Sequence, residues 1–234
     1  MTRIDGRSND ELRPVEILRG FLKYPEGSVL ISAGETRVIC TATVEEGVPG
    51  WLNNQNQGWV TAEYAMLPRA TEDRTNRNRV SGRGAEIQRL IGRSLRAAVD
   101  LARLGDNTVR IDCDVIQADG GTRTVAVTGG YVALVDALTY MVDMDIISEI
   151  PLCGNVAAVS VGVVNDATLL DLCYVEDAQA DVDMNIVMRD DEFVEVQGTA
   201  EGQPFGRATL DELLSLASKG IGELIEAQKR ALSK

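Results

Sequence analysis

The chain of 234 residues is 44% hydrophobic and 25% charged, enough apolar material for a sizeable core and an ordinary surface. It contains no histidine, which excludes Ser-His-Asp and Cys-His nucleophilic engines, and its four cysteines form no CxxC pair, which with the missing histidine excludes the usual zinc sets. The formal charge of −13 argues on average against nucleic acid, yet residues 69–96 hold eight arginines against three acids, a local +5 that leaves −18 on the remainder.

The opening MTRIDGRSNDELRP is polar and lacks the apolar core of a secretory signal, and no stretch approaches 18 unbroken apolar residues. A cytoplasmic protein without a membrane span is expected. Residues 13–19 alternate as a strand, and SVLISAG with ETRVICTATV forms a hairpin around Gly34. The polar stretch GVPGWLNNQNQG interrupts before a further strand at WVTAEYAM. The arginine-rich segment 69–83 has no apolar periodicity and reads as an exposed loop.

Helical spacing of Ile87, Leu90, Ile91, Leu95, Ala98 and Val99 predicts a helix over 85–104, with Arg89, Arg93 and Arg96 on a second face suited in part to a partner subunit. TVRIDCDVIQ is a strand with Val109, Ile111, Cys113 and Val115 on one side, and a helix follows over 122–143. Strands are expected at VAAVSVGVV, TLLDLCYV, MNIVMR and EFVEVQG. A last helix starts near residue 209 with Thr209 and Glu212 as a capping box. Three of the four cysteines fall in strand-like or buried runs, where they act as small hydrophobes. With no linker or internal repeat, the expected class is α+β: one compact domain over residues 1–234, mixed sheets packed with three long helices.

Three segments carry chemistry. In QADGGTRT (117–124) a strand ends, Gly120 and Gly121 allow a tight turn, and a helix mouth presents unpaired amides beside the Thr122 hydroxyl and the Arg123 fork. That suits a phosphate, although the octet by itself fits a glycine turn with a threonine cap equally well; it is not a GxxxxGK motif. SGRG (81–84) repeats the logic with Arg83 at a second helix mouth. The acidic stretch YVEDAQADVDMN (174–185) gathers Glu176, Asp177, Asp181 and Asp183, which repel one another unless solvated or bridged by a hard cation such as Mg²⁺. Anion-clamping arginines beside a carboxylate-held metal are what phosphoryl transfer needs. The loop arginines Arg69, Arg74, Arg77 and Arg79 have no interleaved aromatics, which suits contact with a phosphate backbone rather than base stacking.

Assembled, RIDGR (3–7), GSVLI (27–31), EEGVP (45–49), GWVTAEYAMLPRAT (58–71), EIQRLIGRSLRA (86–97), IDCDVIQADGGTRT (111–124), VDMNIVM (182–188) and EVQGTAEG (195–202) resemble the ribonuclease PH family along essentially the whole chain. The resemblance implies a ribonuclease PH-type fold with a βαβ unit. It implies a phosphorolytic 3′→5′ exoribonuclease, a nucleotidyltransferase in which inorganic phosphate attacks the terminal phosphodiester and releases a nucleoside diphosphate. It further implies Mg²⁺, tRNA precursors and other 3′ RNA ends as substrates, and a hexameric ring built as a trimer of dimers. Carried over by position, the phosphate site is Arg83, Gly121, Thr122 and Arg123; the catalytic and metal-associated carboxylates are Asp177 and Asp183; Arg69, Arg74 and Arg77 grip RNA.

The sequence departs from the family in a loop between Arg77 and Arg83 about four residues short, in asparagines within GWLNNQNQG, and in Glu72–Asp73 among the arginines. Each removes positive charge from the expected RNA path, so weaker or differently salt-tuned RNA binding is expected. Two other readings stand beside the main one: a metal-dependent hydrolytic 3′ exonuclease, and a non-catalytic RNA-binding ring subunit.

Overall fold

The alternating segments find partners that bury their apolar faces. In the computed structural model, which describes residues 3–76 and 82–233, Val15–Arg19 (β1), Gly27–Ala33 (β2), Thr36–Glu46 (β3), Trp59–Met66 (β4) and Asn107–Gln117 (β5) form a sheet ordered β1-β2-β3-β5-β4. All pairs are antiparallel except β4 with β5, which run parallel. Parallel neighbours need a crossover, and the helix Gly82–Arg96 (α1) supplies it, completing a βαβ unit. Val109, Ile111, Cys113 and Val115 all lie buried on one face of β5, as the alternation requires.

The second sheet is antiparallel and ordered β7-β6-β8-β9, from Val156–Val164 (β6), Ala167–Leu170 (β7), Val182–Arg189 (β8) and Glu192–Ala200 (β9). Between the sheets runs the helix Thr122–Asp143 (α2), hydrophobic on every side and buried over most of its length. Its length and composition would suit a membrane span, but 78% of its most apolar window is buried inside the protein. Gly129 lets it settle onto the first sheet: a Cβ there would sit 2.5 Å from Ile31 Cγ2. Toward the second sheet, Thr128 Oγ1 donates to the Ala158 carbonyl at 3.3 Å. From the last helix, Arg207–Leu232 (α4), the buried Gln228 amide donates to the carbonyls of Thr128 and Val156 at 3.0 and 2.9 Å. The mixed α/β class and the three long helices agree with the sequence.

Element boundaries differ in three places. Helix α1 begins at Gly82 and ends at Arg96 rather than spanning 85–104. Its continuation is diverted because Asp100 donates to the Pro151 carbonyl and Cys153 to the Ala98 carbonyl, each at 2.8 Å. In TLLDLCYV only the start is strand: β7 stops at Leu170, and Tyr174–Asp177 forms a single helical turn (α3). Helix α4 is capped by Gly206, not by Thr209 and Glu212, and Glu212 instead accepts from Thr168 Oγ1 at 2.7 Å. Cys40, Cys113 and Cys173 are buried; Cys153 is exposed. Part of the arginine stripe on α1 is used within the chain: Arg93 pairs with Glu195 at 2.9 Å, and the Arg96 guanidinium lies 4.3 Å over the Trp59 ring.

Candidate active site

Strand β5 delivers the chain to a turn at 118–121, and the turn delivers it to α2. Gly120 and Gly121 both sit in the left-handed region, φ +76° and +64°. The backbone at Gly120 presses against the segment before α3, so a Cβ there would meet the Leu172 carbonyl at 2.6 Å. The carbonyls of Asp119 and Gly120 are both engaged inside the protein, by Arg13 Nη1 at 2.6 Å and Thr36 Oγ1 at 2.7 Å. In a planar trans peptide the following amide points the opposite way. The N–H groups of Gly120 and Gly121 therefore face out, and among the described residues no side chain caps α2. Successive outward amides at a helix mouth form a nest for an anion.

Polar side chains ring this nest. Thr122 Oγ1 lies 2.8 Å from Tyr64 Oη at the end of β4. Half-buried Arg123 donates to Gln197 Oε1 of β9 at 3.1 Å, and the Gln197 amide donates to Glu86 Oε1 of α1 at 2.6 Å. Arg83, exposed in the first turn of α1, completes the set, and its charge is felt at Tyr64, Asp177 and Asp183 alike. Burial raises the pKa of the Tyr64 hydroxyl, against the Thr122 bond and the charges of Arg83 and Arg123.

Asp177 ends α3, and Asp183 is the second residue of β8. Burial raises the pKa of Asp177, opposed by Arg123 and Arg83. Asp183 is pushed up to about 6, first by burial and then by the charge of Asp177, with Arg123 and Arg83 pulling the other way. Its Oδ1 is buried without a hydrogen-bond partner among the described residues. The structure therefore brings Arg83 and Arg123 within electrostatic reach of Tyr64, Asp177 and Asp183, with Thr122 bonded to Tyr64.

Of the acidic stretch, Asp177 and Asp183 both feel the charges of Arg123 and Arg83. Glu176 turns into the protein, where Arg3 grips it through Nε at 2.8 Å and Nη2 at 2.6 Å; Asp181 is exposed. No group of three or more His, Cys, Asp or Glu forms a metal cage among the described residues. Two carboxylates, one with an orphaned buried oxygen and both raised by burial, still suit a hard cation whose remaining ligands come from substrate oxygens and water.

Arg69 and Arg74 are exposed on the loop after β4. Ala118 donates to the Ala70 carbonyl at 2.8 Å, which anchors that loop beside the glycine turn. Arg77, with Arg79 and Ser81, lies outside the described residues. Sequence patterns do not single out Arg13, Thr36, Tyr64 or Gln197, which reach the site from β-strands or the N-terminal arm. The one signal for Tyr64 is a hydroxyl on the buried face of β4, in step with Val60 and Ala62; the others leave no local pattern.

Residues 11–139 match domain 1, and residues 154–220 domain 2, of the 3′ exoribonuclease family of RNase PH. Over 238 aligned residues the chain is 58% identical to ribonuclease PH of Rhodococcus erythropolis, covering 99% of this chain and 91% of that one. It is 56% identical to ribonuclease PH of Syntrophomonas wolfei, covering 99% of each. Among solved structures, rice (Oryza sativa) Rrp46 superposes with a TM-score of 0.81 over 97% of this chain and 98% of that one, at 18% identity, a likeness of fold. The Archaeoglobus fulgidus exosome with RNA bound to its active site gives 0.81 at 25% identity, over 96% and 91%.

Proposed function

The chain belongs to the ribonuclease PH family of 3′ exoribonucleases and is a phosphate-dependent, phosphorolytic 3′→5′ exoribonuclease; from that premise we propose how its own residues carry the reaction. One observation carries the assignment: an outward-facing amide nest beside two helix-mouth arginines, set against a half-buried pair of carboxylates.

Inorganic phosphate sits on the Gly121 amide and the Thr122 hydroxyl, with Arg83 and Arg123 clamping its oxygens. Arginine suits this role because it stays charged and presents a planar fork. A phosphate oxygen attacks the last phosphorus of the RNA, the bond from that phosphorus to the penultimate 3′ oxygen breaks, and a nucleoside diphosphate leaves. The new 3′ hydroxyl of the shortened RNA takes up the proton that the attacking hydrogen phosphate gives up, and one of Asp177 and Asp183 assists that movement. Asp177 and Asp183 are also the residues that would hold Mg²⁺, which when bound neutralises charge on the transferring oxygens. Binding and chemistry both draw on the two sheets, so residues 1–234 act as one catalytic unit.

Arg69, Arg74 and Arg77 grip the RNA strand upstream, and tRNA precursors with extended 3′ ends are the substrates. The less basic loop predicts weaker RNA binding at physiological salt. The protein works in the cytoplasm as a hexameric ring, a trimer of dimers. Large exposed apolar side chains, Leu18, Phe21, Leu22 and Tyr24 among them, support subunit contacts. A complete arginine and carboxylate set weighs against a non-catalytic ring subunit. Replacing Arg123→Ala tests the assignment: phosphate-dependent shortening of RNA falls roughly 10²–10³-fold while the fold survives, and a wild-type rate would overturn it.

A further inference from the structure

Two buried side chains shape the anion nest without facing it. Thr36, at the start of β3, is fully buried. Its Oγ1 accepts from the Asp119 amide at 2.9 Å and donates to the Gly120 carbonyl at 2.7 Å, holding the peptides on either side of the Asp119–Gly120 bond. Arg13, only 4% exposed, gives Nη1 to the Asp119 carbonyl at 2.6 Å. Its Nε and Nη2 fork the carboxylate of Asp171 at 3.0 and 2.6 Å, and Asp171 also accepts from the Arg13 backbone amide at 2.8 Å. Packing is close: a Cβ on Gly121 would lie 2.9 Å from Arg13 Nη2.

The consequence is geometric. Holding the carbonyls of Asp119 and Gly120 inward forces the amides of Gly120 and Gly121 outward. If either peptide flipped, a carbonyl oxygen would face the anion and repel it. Arg13 does a second thing. Asp171 lies on the segment that runs through α3 to Asp177, so one guanidinium joins the glycine turn of the first half to the carboxylate arm of the second.

We infer that Arg13 and Thr36 are positioning residues for the attacking phosphate, fixing the peptide planes of the nest and its offset from the carboxylates. The inference rests on the reading of the glycine turn as the phosphate site. It separates phosphate affinity from the chemical step: loosening the nest weakens phosphate binding, whereas Asp177 and Asp183 stay in place in a Thr36 variant.

The test measures phosphorolysis against phosphate concentration at saturating RNA for the wild type, Thr36→Val, Thr36→Ser and Arg13→Lys. The thermal shift given by inorganic phosphate alone is measured for these and for Arg123→Ala. Thr36→Val keeps the shape and removes the hydroxyl with both its bonds to the turn; its KM for phosphate rises about tenfold, with kcat within about twofold. Thr36→Ser restores the wild-type KM. Arg13→Lys keeps the charge beside Asp171 but has no fork to reach both partners, and it raises the phosphate KM by at least as much. An unchanged phosphate KM in both Thr36→Val and Arg13→Lys, or a loss confined to kcat, overturns the inference. If Arg123→Ala keeps the full phosphate-induced shift, the phosphate-site reading itself fails, and the inference with it.

Discussion

Asp183 sits within the field of Asp177, and that neighbouring carboxylate, after burial itself, pushes its pKa up to about 6. Burial makes these two half-buried acids costly to ionise, the charges of Arg123 and Arg83 offset part of that cost, and such a pair suits a site where a cation or a proton is exchanged.

The cost predicts a pH-dependent stability. A carboxylate whose folded pKa lies above its unfolded value favours the folded state below the unfolded pKa, and the advantage is lost as pH rises through the folded pKa. From pH 4 to about 6 the wild type therefore loses the contribution of Asp183, and above that window it buries an unfavourable charge. Replacing Asp183→Asn removes the titration: its Tm exceeds that of the wild type at pH 7–8, and the gap closes as pH falls toward 4. A constant gap in thermal melts across that range would contradict the assignment.

A second prediction concerns the N-terminal arm. Arg3 and Glu176 form a buried pair, side chains 2% and 8% exposed. Burial opposes ionisation of Glu176, but the hydrogen bonds from Arg3 and the Cys173 amide outweigh it and hold its pKa below the usual range. Removing one partner strands a buried charge, so Arg3→Ala lowers the unfolding free energy by about 3–5 kcal/mol in urea denaturation. Glu176→Gln strands the Arg3 guanidinium in the same way and is destabilising on the same scale.

The glycines divide sharply. At Gly120, with φ +76° and a Cβ that would lie 2.6 Å from the Leu172 carbonyl, alanine is strained and collides with backbone. Gly120→Ala loses stability and phosphorolysis together. Gly82, in the first turn of α1 with nothing within 4 Å of a Cβ, accepts alanine with a gain of up to about 1 kcal/mol. Thermal melts and initial rates on the two variants check both directions.

Much of the site was legible in the sequence and some was not. The octet QADGGTRT announced the turn, the helix mouth and the fork, because glycines, a hydroxyl and an arginine are adjacent in the chain. Helix α2 was readable over its full length, since its apolar run has no competing partner until residue 143. The end of α1 was not: Ala98 and Val99 keep helical spacing, but the backbone there bonds to residues 151–153, a long-range pairing that no local pattern records. Glu176 looked equivalent to Asp177, and only the arrival of Arg3 from far away in sequence separates them. Gln197 escaped for the same reason, as its role depends on Arg123 and Glu86 arriving from two helices.

Exposed Arg74, on the loop anchored beside the glycine turn, gives a prediction for RNA. Removing one arginine–phosphate ion pair from a complex with single-stranded RNA lowers the slope of log affinity against log salt by about 0.7. Arg74→Ala therefore weakens binding of a 3′-extended RNA across sequences and flattens its salt titration by about that amount. An unchanged slope would remove Arg74 from the RNA path.

The central claim is that phosphate is the attacking group. Incubating the protein with a 3′-extended tRNA and radiolabelled inorganic phosphate tests it most directly. Nucleoside diphosphates carrying the label in the β-phosphate are expected, with no shortening when phosphate is omitted. Release of unlabelled nucleoside monophosphates at the same rate with or without phosphate would contradict it.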